Sequence, residues 1–135
     1  MLKRRIFSVL MIFALLLAFV PSASAAFSYT STTYTLSGGT IYFGNGVIVN
    51  TGQYYDTLTI NVYRKDCSTA KAASASSCTD VWIGSKTVSL SSQQYIYPGV
   101  SGAPLIPIAT GTSAGQYFYT LSAPGSWHVM AGIHN

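Results

Sequence analysis

Two histidines, three aspartates, two cysteines and many serines are the residues of this chain that could do chemistry. His128 and His134 fall on one face of a stretch with a period of two. At about 3.3 Å per residue they stand roughly 20 Å apart, too far to hold one metal or act on one bond unless the chain bends sharply. Asp56, Asp66 and Asp80 are the only acidic side chains. Asp56 sits among turn residues, where aspartate commonly makes local hydrogen bonds. Asp66 and Asp80 flank the segment between the cysteines, positioned to face each other or to pair with Arg64 and Lys65. Glycoside hydrolysis wants two carboxyls about 5–10 Å apart in a cleft, and nothing in the sequence supplies the cleft. With so many serines, a Ser, His and Asp trio carries no information. The nucleophile elbow Gly-x-Ser-x-Gly is missing, Gly99-Val100-Ser101-Gly102 being off by one position. There is no calcium-loop pattern and no Gly-rich phosphate loop. The expectation is a non-catalytic protein without cofactor or metal.

Cys67 and Cys78 are the remaining reactive pair. Zinc would need two further ligands, and both histidines lie far along the chain. A disulfide is the expectation, because the chain begins like an exported one. Lys3, Arg4 and Arg5 open it, Ile6 to Val20 is apolar apart from Ser8, and Ala23-Ser24-Ala25 is a small-residue cleavage signal. That three-part pattern reads as a signal peptide over residues 1–25, leaving one secreted domain over 26–135. The apolar run is shorter than the about 20 residues a spanning helix needs, and no later segment is long and apolar enough. Oxidation is the default outside the cell, and closing a loop of this length constrains the unfolded chain by about 3 kcal/mol. Without the leader, Arg64, Lys65, Lys71 and Lys86 stand against the three aspartates, so most of the +4 net charge belongs to the leader. No basic stripe remains for a phosphate backbone, which excludes nucleic acid as a partner.

The elements that must position these residues are strands. In Thr57–Arg64, Leu58, Ile60 and Val62 alternate with Thr57, Thr59, Asn61 and Tyr63, the period of a half-buried strand. A partner over Asp80–Leu90, bulged or broken at Gly84-Ser85, pairs with it and is clipped to it by the cysteines. Tyr29–Leu36 and Thr40–Asn50 precede them; Gly44-Asn45-Gly46 divides the second as a bulge or, by the Asn-Gly preference, a tight hairpin. Ser91–Gly115 contains Pro98, Pro104 and Pro107, which cannot donate to a ladder, and is expected as an extended edge segment. Gln116–Ser122 and Trp127–His134 are expected as a final hairpin. An odd-length turn would put Tyr117, Tyr119, Leu121, Trp127, Val129, Ala131 and Ile133 on one apolar face, with Phe118, His128, Met130 and His134 outside. Recurrent short strands between turn signals predict an all-β fold. The expected form is a small antiparallel β-sandwich, immunoglobulin-like or jelly-roll-like, with about seven strands and one disulfide. Gly115, Tyr117 and Tyr119 form a Gly-x-Tyr-x-Tyr start that resembles a late strand of immunoglobulin-like sandwiches, but the inter-sheet cysteine pair of antibody domains is missing.

What remains for function is aromatic. Ten Tyr and two Trp are more than a thin core needs. Tyr63 and Phe118 fall on the outward sides of their strands, Tyr95 and Tyr97 fall in a loop, as does Tyr54-Tyr55, and His128 and Met130 face outward. Tyr63, Tyr95, Tyr97, Phe118, His128 and Met130 are therefore the candidate contact surface. Exposed aromatics on a weakly charged surface suit another copy of the chain, a polysaccharide or a cell-surface protein. The expected role is a secreted binding or structural protein. A membrane-active toxin is the alternative, weakened by the low charge. A protease inhibitor acting through the Tyr95–Ile108 loop is third.

Overall fold

A computed structural model describes residues 26–67 and 78–135. The expected leader, and the Ala-rich piece between the cysteines, lie outside the described residues. Nine strands alternate with short loops: β1 (Phe27–Thr30), β2 (Tyr34–Leu36), β3 (Gly39–Asn50), β4 (Asp56–Asp66), β5 (Thr79–Leu90), β6 (Tyr95–Ile96), β7 (Ile106–Thr112), β8 (Gly115–Ala123) and β9 (Trp127–His134). They form two antiparallel sheets packed together, so the all-β sandwich is found. There are nine strands and not seven for two local reasons. The chain leaves the ladder around Ser31–Thr33, splitting the first strand into β1 and β2, and β6 is a two-residue strand inside the Pro-rich segment.

The larger sheet runs β1-β8-β4-β5, with β2 also on β8 along the β1 edge. In the smaller sheet β3 is central. It pairs with β9 along one side, and with β7 and then β6 along the other. Leu58, Ile60 and Val62 of β4 are fully buried, as their alternation requires. They meet Tyr117 and Leu121 of β8 on their own side, and Ile41, Phe43 and Ile48 of β3 and Trp127 of β9 within the same core. At the β5 and β7 edges the layers nearly touch: a Cβ on buried Gly84 would come within 2.8 Å of the Ile108 carbonyl oxygen. At the opposite side the Tyr119 hydroxyl donates to the Ala131 carbonyl (2.9 Å), tying β8 to β9 across the layers.

The cysteines are joined, with their Cα atoms 4.2 Å apart, at the open end of the β4–β5 pair. β5 is one continuous strand in which Ile83 is an extra residue, because Val62 pairs Gly84 while Tyr63 pairs Trp82. Gly44-Asn45-Gly46 is likewise a bulge, correcting the hairpin favoured by the Asn-Gly pair. Gly44 opposes Gly132 and Val47 opposes Met130, so Asn45 and Gly46 together face Ala131. Asn45 takes φ of 57°, which Asn tolerates. A Cβ at Gly46 would overlap the Met130 carbonyl oxygen.

The final hairpin is not formed. β8 lies in the larger sheet and β9 in the smaller one. The Pro124–Ser126 turn carries the chain from one layer to the other, held where the Asp56 carboxylate accepts from Gly125 N–H (2.9 Å) and where Ser126 C=O accepts from Thr51 N–H (3.0 Å). The expected apolar face still exists. It is divided between two layers that bury it against each other, a better shelter than one sheet face would be.

Candidate contact surface

The candidates separate onto the outer faces of the two sheets. Directly paired residues of an antiparallel ladder share a face. Tyr95 pairs Val49, Val49 pairs His128, and Val47 pairs Met130. Tyr95, His128 and Met130 therefore stand together outside the smaller sheet, across β6, β3 and β9. Tyr97 joins them through an edge-on ring contact with Tyr95, centroids 5.4 Å apart. Both tyrosines and His128 are exposed, Met130 is 65% exposed, and Val47 and Val49 are half-buried among them. Towards the other end, Tyr42 pairs both His134 and Pro107. His134 also lies against the Asn45 amide (3.4 Å).

Tyr63 and Phe118 are elsewhere. They are registered neighbours on the outer face of the larger sheet, with stacked rings 5.2 Å apart. Phe118 is outward-facing but only 9% exposed. Tyr63 covers one flank, and Lys65 Nζ stands 5.0 Å from its ring centroid. Its expected place on an open contact surface is thus corrected: a cross-strand neighbour and a long lysine stem shelter it. Trp82, missed in the sequence, extends this row, because the bulge at Ile83 turns it outward opposite Tyr63. Its indole N–H donates to the Asn61 side-chain oxygen (3.3 Å).

Asp56 and Asp80 have structural partners. The Asp56 carboxylate accepts from Thr57 N–H (2.7 Å), Gly125 N–H (2.9 Å) and the Trp127 indole N–H (2.8 Å). Asp80 pairs with Lys65 (3.5 Å) in an exposed ion pair, worth about 0–1 kcal/mol. Burial pushes the Tyr119 phenol pKa well above its ordinary value, with Tyr34 and Tyr29 adding to the rise. Among the described residues no three His, Cys, Asp or Glu side chains gather where they could hold a metal ion.

Charge, unlike the aromatics, is confined to one sheet. Every charged side chain among the described residues lies on β4 or β5, in the larger sheet: Asp56, Arg64, Lys65, Asp66, Asp80 and Lys86. The four strands of the smaller sheet carry no Lys, Arg, Asp or Glu. No protein-family model, curated protein or solved structure matches the chain.

Proposed function

We propose that this is an exported, non-catalytic binding or structural protein that works by contact through the outer face of its smaller sheet. One observation carries the reading: Tyr95, Tyr97, Val47, Val49, His128 and Met130 lie together on a sheet with no charged residue. An exposed apolar patch on a soluble fold is commonly an interaction site, and depletion of charge marks the centre of an interface. The leader pattern and the disulfide support export. The partners such a face suits are a second copy of the chain, a polysaccharide or a cell-surface protein.

Sedimentation velocity across a concentration series, with parallel retention on cell-wall polysaccharide, tests the reading. Wild-type protein is expected to associate or to be retained, and Met130→Asp with Tyr95→Ser to abolish the association or weaken the retention. A strict monomer that no wall polymer retains is the contrary result.

A further inference from the structure

A second feature stands apart from that face, at the end of the sandwich where β3 passes over to β4. The 51–55 loop and the Pro124–Ser126 turn enclose a cleft of about 640 Å³, within the size range of small-ligand sites. Its base is rigid. Asn50, fully buried, donates from its amide to the carbonyls of Tyr54 (2.8 Å) and Leu90 (2.9 Å), and accepts from Gly52 N–H (2.9 Å). The loop is braced from behind, where Ser92 Oγ donates to Gly52 C=O (2.7 Å) and Gln93 Nε2 to Thr51 C=O (3.0 Å). Yet Tyr54 and Tyr55, which line the cleft, are 79% and 68% exposed. Two large rings are held out in water by a loop whose backbone is fixed.

The chemistry of the lining selects the ligand. Asp56 is its one charged residue, and three N–H donors already satisfy that carboxylate. An anion finds no positive charge here, and a cation finds only a carboxylate whose oxygens are already committed to the framework. What the cleft offers is two phenol rings, the exposed Gln53 amide, and the hydroxyls of Thr51 and Ser126, which bond each other at 3.1 Å. Aromatic faces beside uncharged donors and acceptors complement a ring with an apolar C–H face and a hydroxyl rim. We propose that this cleft binds a neutral saccharide. A proline-rich peptide also uses aromatic rings, but it wants a longer apolar groove than a pocket walled by one loop and one turn.

The test is an amide NMR titration of the disulfide-bonded protein with neutral tetrasaccharides of glucose, mannose and N-acetylglucosamine. At least one is expected to shift Gln53, Tyr54 and Ser126. Tyr54→Ala with Tyr55→Ala should weaken that affinity by about tenfold or more, with Tm unchanged because both rings are exposed. Gln53→Ala should weaken it less, and Tyr95→Ser should leave it intact. The assignment is overturned by silence up to about 10 mM sugar, an affinity too weak to matter. It is equally overturned by binding that survives the double substitution, or by a proline-rich peptide shifting these amides when no sugar does. Because Tyr95 and Met130 lie outside the cleft, failure here leaves the proposed contact face standing, and the reverse holds.

Discussion

Asp56 has the residue type of a catalytic acid and the surroundings of a fastener. Its carboxylate gathers the start of β4, the Pro124–Ser126 turn and the Trp127 indole. Asp56→Ala would strand the indole N–H of a side chain that is almost wholly buried. A charge-assisted bond lost in that way costs about 2–3 kcal/mol, to be read as a lower urea midpoint; Asp56→Asn should lose less, because one acceptor oxygen remains. Tyr119 gives a pH signature. Its folded pKa lies above its unfolded one, so the unfolded chain gives up the proton first as pH rises. Its contribution to stability is therefore complete below about pH 10 and declines above it. Thermal melts between pH 8 and 11 should show Tm falling over the upper part of that range. In Tyr119→Phe the fall should be shallower, from a lower starting Tm because the bond to Ala131 is gone.

Among the elements, β3 is the most demanding: like β8 it serves three partner strands, and its ladders shift register against both β7 and β9. Gly46→Ala would drive a methyl into the Met130 carbonyl and should destabilise the fold by about 3 kcal/mol or more. Asn45→Gly, at a left-handed φ, should be nearly neutral. Urea denaturation of the two variants compares them directly. The sequence could announce this element but not its form: Asn-Gly between apolar runs suits a tight turn, and only the close approach of β9 settles it as a bulge. The pairing of β4 with β5 was legible, since its alternation is local and its cysteines close a short loop, but the interruption expected at Gly84-Ser85 is a bulge at Ile83. The placement of β8 and β9 was not. Their alternating apolar residues fit a hairpin and a crossing between layers equally well. The contact that decides, Asp56 with Trp127, joins positions 71 residues apart. Of the contact surface, the outward sides of Tyr63, Phe118, His128 and Met130 were readable from the period of two, and Tyr95 and Tyr97 only from their place in a loop. Which of them share a face depends on strand order, and Trp82 on a bulge.

At the scale of the whole molecule, the sandwich is two-sided in a chemical sense. The larger sheet holds the charged residues of the described chain and shelters Phe118 beneath Lys65, while Trp82 stays open beside them. The smaller sheet holds none, and leaves Tyr95, Tyr97 and Met130 open. Surfaces selected only for solubility intersperse charge, so this division is the physical ground for a contact role. The most direct check is sedimentation of wild type beside the Met130→Asp, Tyr95→Ser variant, over a concentration series and with cell-wall polysaccharide added. The expected result is association that the double variant loses, or co-sedimentation that it weakens, while its Tm is retained. Wild-type protein that stays monomeric and unretained throughout, or a variant indistinguishable from it, would contradict the account.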